Sequence, residues 1–215
     1  MPRNKLALIA LAPAVIWCTA CGPEKKEELK VVKAPEQFRV KFETTKGDFV
    51  VEVTRAWAPR GADRFYELVT ERYYDGCKFF RIVPRFVVQF GLNGNPALSQ
   101  KWSQMTIPDD PVKAHNEKGT LSFAMAGPAT RTTQVFINLN DNVQLDRMNF
   151  APFGKVSAGM EIVESLFKGY GDAPPQGVGP VQALIREEGN AYLERHFPRL
   201  DGIKTATVEP VEGGA

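Results

Sequence analysis

The stretch "KFFRIVPRFVVQFG" at residues 78–91 combines aromatic and β-branched side chains with an arginine in its middle. Phe, Ile and Val dominate it, and these residue types suit a largely buried strand. Pro84 interrupts the run, which predicts two paired strands, one on each side of the proline. An unpaired guanidinium is costly among such side chains. Arg81 therefore requires either a partner or a function.

Length and composition predict one domain with its own core. The chain has 215 residues, of which 43% are hydrophobic and 24% charged, and this balance argues against disorder except near the two ends. The two histidines, His115 and His196, lie far apart and have no cluster of cysteines or carboxylates around them. We therefore expect neither a metal site nor a cofactor.

The first twenty residues are typical of an export signal. Arg3 and Lys5 precede an apolar stretch at 6–16, and "CTAC" follows at 18–21. The apolar stretch is too short to span a bilayer. Ordinary cleavage and lipoprotein processing would cut at the same bond, and "TAC" before "GPEKKEE" resembles a bacterial lipoprotein signal, although Cys18 stands where Leu is usual. We expect residues 1–20 to be a signal peptide and Cys21 to be lipidated.

The sequence after the signal contains no cationic block. Removing Arg3 and Lys5 takes the formal charge from +2 to zero, so we expect no nucleic-acid partner. Residues 21–38 follow as a predicted charged linker, since 22–38 hold four Glu, four Lys and two Pro; a short helix packed on the domain is the alternative. The predicted domain covers 39–205, and a flexible tail covers 206–215.

The pattern within 39–205 predicts a mainly β domain. "FRVKFETTKGDFVVEVT" at 38–54 alternates apolar and polar residues around a turn at 45–48, which indicates a hairpin. A helix is predicted from Pro59 to Asp75–Gly76, and a second within 157–169. Apolar "TLSFAMA" and "QVFINL" lie between them. Few strands pair with long helices, so an antiparallel barrel or sandwich with two helices fits best.

Three ordered segments, "FFRIVPRFVVQFG", "GTLSFAMAGPATRTTQVFI" and "NFAPFGKV", resemble the cyclophilin peptidyl-prolyl cis-trans isomerases. The resemblance covers about residues 38–205. It implies a closed eight-stranded antiparallel β-barrel capped by two α-helices. It also implies catalysis of rotation about X-Pro peptide bonds, here in exported or envelope proteins whose folding the enzyme would assist.

The resemblance also implies which residues form the site. Arg81 matches the arginine that acts on the substrate proline, and Gln89 matches the glutamine that orients it. Several departures accompany this match: Met125 replaces an asparagine, Asn149 a histidine, and Gln144 a tryptophan found in some members. The predicted substrate-binding residues are Phe86, Val87, Ala124, Met125, Gln134, Phe136, Gln144, Leu145 and Asn149.

The sequence leaves an alternative role open for one predicted site residue and predicts structural roles for several others. Gln134 could instead cap a strand, and Phe153 is expected in the core. Cys77 is expected to be a small buried residue, and His115 a loop residue with a structural hydrogen bond. Arg131, with Thr132, replaces a small pair in the family pattern and is expected to alter the neighbouring groove.

Two functional classes follow from the predicted site. The first is an exported prolyl isomerase, a monomer held by the lipid at Cys21 on the periplasmic side of a bacterial envelope, at the outer membrane. The second is a non-catalytic peptide-binding chaperone that uses the same groove. Retention of Arg81 favours the enzyme, because binding a proline ring alone needs no guanidinium.

Overall fold

The predicted hairpin forms the start of the sheet. In the computed structural model, which describes residues 32–209, strand β1 (Gln37–Thr44) pairs antiparallel with β2 (Asp48–Thr54). Its apolar positions alternate inward, and the Phe42 and Phe49 rings, which face each other in the register, stack with centroids 4.8 Å apart. The inward faces of both strands are buried, which confirms the hairpin prediction.

Six further strands extend this hairpin into one antiparallel sheet. They are β3 (Arg81–Val83), β4 (Val87–Phe90), β5 (Thr120–Phe123), β6 (Val135–Asn138), β7 (Pro152–Ala158) and β8 (Ile203–Glu209). The order is β3-β4-β6-β5-β7-β2-β1-β8. Pro84 separates β3 from β4, as predicted.

The two end strands of the sheet are joined only indirectly. Within residues 32–209 no ladder pairs β3 with β8. The segments just before these strands do meet: Lys78 and Gly202 form an isolated bridge, and the Phe79 amide donates to the Asp201 carbonyl at 3.0 Å. The described chain is therefore an eight-stranded antiparallel half-barrel, and full closure by strand pairing stays a prediction.

The described residues contain five α-helices, whereas two were predicted. They are α1 (Pro59–Thr70), α2 (Pro96–Ser103), α3 (Met160–Ser165), α4 (Gln182–Glu188) and α5 (Asn190–His196), and a 3-10 helix covers Val143–Met148. Helix α1 begins at Pro59 as predicted. It ends before Asp75–Gly76 because Arg72 takes a positive φ of 55°, which stops the helix. The second helix predicted within 157–169 is α3, and residues 157 and 158 of that stretch belong to β7.

Helix α2 lies in a passage that reads as polar loop. Its first turn is capped by Asn95, whose side chain accepts a hydrogen bond from the Ala97 amide at 3.0 Å. Among its residues only Ser99 and Trp102 are buried. So short an apolar face gives no helical period in the sequence, and this explains why the helix was missed.

The main core lies between α1 and the sheet. Phe65 of α1 packs against Phe153 of β7 with ring centroids 4.9 Å apart, which confirms that Phe153 is a core residue. Cys77 is fully buried, as predicted, and burial raises the pKa of its thiol. None of the helices within 32–209 is both long and apolar enough to cross a membrane.

Ordered structure continues past both predicted domain boundaries. Ala34 is buried against the core, and its amide donates to Asp63 at 2.9 Å, so the end of the predicted linker packs on the domain. Strand β8 runs to Glu209, where it still pairs with Arg39 of β1, so residues 206–209 are strand and not tail. The predicted signal peptide and Cys21 lie outside the described residues.

Candidate active site

A cleft of about 260 Å³ opens beside the β3–β4 edge of the sheet. Its apolar wall is a small cluster, separate from the main core, that includes the buried side chains of Val87, Phe136 and Leu145. Phe136 meets Phe150 edge-to-face, with ring centroids 5.5 Å apart. The lining residues are Arg81, Phe86, Val87, Gln89, Ala124, Met125, Phe136, Leu145, Phe150 and Gln182.

The polar side of the cleft is a short chain of hydrogen bonds that runs from β3 through β4 to the residue just before β6. Arg81 NH1 donates to Gln89 Oε1 at 3.2 Å, and Gln89 Nε2 donates to Gln134 Oε1 at 2.8 Å. Gln89 is only 7% exposed, so its amide has few alternative partners. The Arg81 guanidinium also lies over the Phe86 ring, 5.8 Å from its centroid.

Asp172 is a second partner of Arg81 that the sequence did not reveal. Its carboxylate accepts hydrogen bonds from Arg81 Nε at 2.8 Å and from Arg81 NH2 at 2.7 Å, a two-pronged arrangement. Both side chains are about one quarter exposed. The hydrogen bonds from Arg81 hold the pKa of Asp172 below its ordinary value. The guanidinium predicted to need a partner therefore has two.

The structure brings most of the predicted site residues together but not all of them. Gln134 is not among the residues that line the cleft and is joined to it through the hydrogen bond from Gln89. Gln144 is exposed and lines a separate depression with His115, while Asn149 lines another with Met125 and Asp109. The remaining predicted residues line the cleft itself. Phe150, Gln182 and Asp172 were missed.

Of the three missed residues, only Phe150 had a signal in the sequence. Phe150 lies in "NFAPFGKV", a segment already recognised, and its proximity to Leu145 could have suggested it. Asp172 and Gln182 lie in a Gly- and Pro-rich stretch with no periodic pattern. Asp172 is 91 residues from Arg81 along the chain, and no local spacing encodes that contact.

Arg131, which was expected to alter the neighbouring groove, is buried in an ion-pair network and is not among the residues that line the cleft. It is 3% exposed and forms ion pairs with Asp110 at 3.0 Å and Asp109 at 3.2 Å. Asp110 in turn accepts hydrogen bonds from the amides of Arg60 and Gly61 in the first turn of α1. This buried network ties the loop before β6 to the start of a helix.

His115 has the structural role predicted for it. Its Nδ1 lies 2.8 Å from Asp146 Oδ2, and Asp146 also accepts from the Asn116 amide at 2.9 Å. In the described part of the chain no group of three or more His, Cys, Asp and Glu side chains is placed to hold a metal ion. The cleft itself presents the Arg81 guanidinium, a hydrogen-bond donor, beside apolar side chains.

Comparison with known proteins agrees with this fold. Residues 39–183 match the family model described as cyclophilin type peptidyl-prolyl cis-trans isomerase/CLD. Peptidyl-prolyl cis-trans isomerase-like 1 of Gibberella zeae is 35% identical over 156 residues, covering 68% of this chain and 94% of that protein. The protein of the same description from Aspergillus oryzae is 33% identical over 162 residues, covering 70% and 96%.

One solved structure extends the comparison to the fold. A cyclophilin type peptidyl-prolyl cis-trans isomerase of Cryptosporidium parvum, crystallised in the presence of the dipeptide Ala-Pro, matches with a TM-score of 0.60 and 21% identity. The match covers 80% of this chain and 99% of that one. At this identity the likeness concerns the fold.

Proposed function

Because this chain belongs to the cyclophilin-type peptidyl-prolyl cis-trans isomerase family, we propose that its cleft binds proline-containing polypeptides and that Arg81 catalyses the rotation. The observation that carries the proposal is the fixed guanidinium of Arg81, held at 3.2 Å by Gln89 beside an apolar cavity. Gln89 orients the arginine, and the apolar wall receives the proline ring.

The chemistry of the X-Pro bond explains what a fixed guanidinium contributes. Rotation meets a barrier of ~18–20 kcal/mol because twisting destroys amide resonance. In the twisted state the proline nitrogen regains its lone pair and accepts a hydrogen bond that the planar amide cannot. A donor preorganised beside that nitrogen therefore binds the transition state better than either ground state, which is the requirement for catalysis.

The apolar wall supplies the rest of the binding energy. Val87, Phe136 and Leu145 pack together in one cluster and line the cleft, so they form a preshaped surface. A proline ring seated against them loses contact with water and strengthens the hydrogen bond from Arg81 by lowering the local dielectric. No covalent intermediate is required.

Exchange NMR on a proline-containing peptide tests this proposal. The cis and trans forms give separate resonances, and the wild-type protein should exchange them faster than the uncatalysed rate. Arg55→Ala is a matched control, since Arg55 also pairs with an aspartate, Asp63, but does not line the cleft. The proposal fails if the wild-type protein leaves the exchange rate unchanged, or if Arg81→Ala and Arg55→Ala behave alike.

The site of action is a separate proposal that rests on the leader sequence. We infer that residues 1–20 direct export, that Cys21 is lipidated, and that the monomeric domain works at the outer membrane on the periplasmic side, where it assists the folding of envelope proteins. The support is the apolar stretch at 6–16, Ala20 before Cys21, and the charged residues that follow. The fungal relatives lend this part no support.

Mass spectrometry of the protein from its native cells tests the anchor. A multiply acylated cysteine anchors firmly, whereas one acyl chain gives only marginal binding. The expected N-terminal peptide begins at Cys21 and carries the mass of its acyl chains. An unmodified Cys21, or a mature chain that retains residues 1–20, contradicts the proposal.

A further inference from the structure

The segment between α3 and α4 supplies a second partner to Arg81, the carboxylate of Asp172. We propose that Asp172 is a positioning residue, which fixes the plane of the Arg81 guanidinium for turnover. This inference rests on the proposed role of Arg81. It goes beyond that role by assigning a function to a segment that no motif identifies.

The number of donors on Arg81 shows why the contact with Asp172 is compatible with catalysis. A guanidinium has five N–H groups. Asp172 accepts from Nε and from one N–H of NH2, and Gln89 accepts from one N–H of NH1. One N–H on each terminal nitrogen is left for a substrate. The carboxylate therefore fixes the guanidinium without using all of its donors.

Asp172 is itself held rigidly by its own segment. Its Oδ1 accepts a further hydrogen bond from the Ala173 amide at 2.8 Å, and its carbonyl accepts one from the Gly179 amide at 2.7 Å. The neighbouring Gly171 carbonyl accepts from the Ile82 amide of β3 at 3.4 Å. The segment is thus attached both to itself and to the strand that carries Arg81.

Aromatic packing connects this segment to the last helices. Tyr170 packs edge-to-face against Phe167 and Phe197, with centroids 5.0 and 5.1 Å away. The hydroxyl of Tyr192 in α5 accepts a hydrogen bond from the Val181 amide at 3.2 Å. Gln182, the next residue, begins α4 and lines the cleft. The position of Asp172 is therefore set by a packed substructure and not by a free loop.

The pairing also determines how Arg81 acts. Arg81 and Asp172 together are formally neutral, so the cleft offers a directed N–H group and little net charge. An arginine without this partner would sample several rotamers, and each misdirected rotamer lacks the hydrogen bond needed in the transition state. We therefore expect loss of Asp172 to lower kcat more than it weakens peptide binding.

A double-mutant cycle on the full domain tests the assignment. The variants are Asp172→Ala, Arg81→Ala and the two combined. We expect Asp172→Ala alone to lower kcat about tenfold with KM within about twofold, and to cause no further loss in the Arg81→Ala background. Asp63→Ala is the matched control: Asp63 also holds an arginine by two hydrogen bonds and accepts a backbone amide, but that arginine, Arg55, does not line the cleft.

A second measurement does not depend on activity. In ¹⁵N-labelled protein the Arg81 Nε–H should exchange slowly with solvent, and Asp172→Ala should accelerate that exchange while the backbone amides of β3 stay protected. A purely structural role predicts equal losses of turnover in both Arg81 backgrounds, and that result overturns the assignment. Unchanged Nε–H exchange in Asp172→Ala overturns it as well.

The same variants separate this inference from the proposed function. If Arg81→Ala retains wild-type turnover, the proposed catalytic role itself fails. If Arg81→Ala loses turnover and Asp172→Ala keeps both wild-type kcat and wild-type KM, the catalytic role stands and only the positioning role of Asp172 fails.

Discussion

Arg81 and Gln89 are paired both through the backbone of two adjacent strands and through their side chains. They face each other in the β3–β4 register, and their side chains are joined by a hydrogen bond of 3.2 Å from NH1 to Oε1. Directly opposed residues of an antiparallel pair project to the same face of the sheet. The backbone register therefore delivers both side chains to the cleft before any side-chain contact forms.

Arg81→Ala should lower kcat/KM by on the order of 10²–10³, because losing one preorganised transition-state donor typically costs ~2.7–4 kcal/mol. Arg81→Lys should recover little, since an ammonium lacks the planar fork that Gln89 and Asp172 hold. Exchange NMR of a proline peptide gives the rate, and circular dichroism checks the fold.

The affinity of the Arg81 variants for a peptide distinguishes an enzyme from a non-catalytic binding module. Titration should show a much smaller loss of affinity than of turnover, since the apolar wall of the cleft remains. The turnover rate of Arg81→Ala could instead lie within about threefold of the wild-type rate, a difference of about 0.7 kcal/mol in activation free energy. In that case the arginine is not the catalytic group, and the result supports the binding-module interpretation.

Gln89→Leu should lower kcat/KM about tenfold or more, because a hydrogen bond to a charged group contributes ~1.5–3 kcal/mol and leucine offers Arg81 no acceptor. Gln134→Leu should cost less, since it removes only the acceptor that orients the Gln89 amide at 2.8 Å. Steady-state kinetics on both variants gives the order. The reverse order would show that Gln134 contacts the peptide directly.

Local sequence pattern was sufficient to predict the strands that carry Arg81 and Gln89. The hairpin, both strands around Pro84 and the start of α1 follow from alternation and turn residues. Arg81, Gln89 and the apolar residues that the resemblance singled out line one cleft, and their roles there stay predictions.

The rest of the site depends on contacts that sequence spacing does not encode. Asp172 reaches Arg81 across 91 residues, from a stretch without hydrophobic period. Gln144 and Asn149 were assigned by alignment to a pattern, but neighbouring side chains of a 3-10 helix point in different directions, so Leu145 lines the cleft while Gln144 faces a separate depression.

Leu145→Ala should raise KM about tenfold and leave kcat within about twofold, since the loss of apolar contact weakens ground state and transition state alike, at about 1.4 kcal/mol per factor of ten. A smaller change is expected from Gln144→Ala, whose side chain lies outside the cleft. Saturation kinetics with the same peptide gives KM and kcat for Leu145→Ala and Gln144→Ala. A larger effect at Gln144 would restore it as a substrate contact.

The Arg81–Asp172 pair should make part of the stability pH-dependent. The folded-state pKa of Asp172 is depressed by its hydrogen bonds from Arg81, so its contribution is complete above the unfolded value and is lost as pH falls through the folded one. Asp172→Asn should therefore melt below wild type at about pH 7, and the difference should shrink by about pH 2. A constant difference in Tm would mean that Asp172 does not titrate with folding.

Asp110→Ala should destabilise the domain strongly. Asp110 is buried with Arg131 at 3.0 Å, and removing one partner of such a pair leaves an uncompensated charge at a cost of ~3–5 kcal/mol. Glu117→Ala is the control, because its pair with Lys155 at 3.3 Å is about half exposed and is worth ~0–1 kcal/mol. Urea unfolding measures both, and similar losses would contradict the expectation.

Strand β1 pairs with β2 on one side and with β8 on the other, and this arrangement sets an order of events during folding. The hairpin of β1 and β2 can form locally, but the second edge of β1 has to wait for residues 203–209, more than 150 positions later. Pairing over such a separation is slow to form. A chain cut ahead of Ile203 would keep Arg81 and yet expose an unpaired strand edge of β1, a place where copies associate with one another.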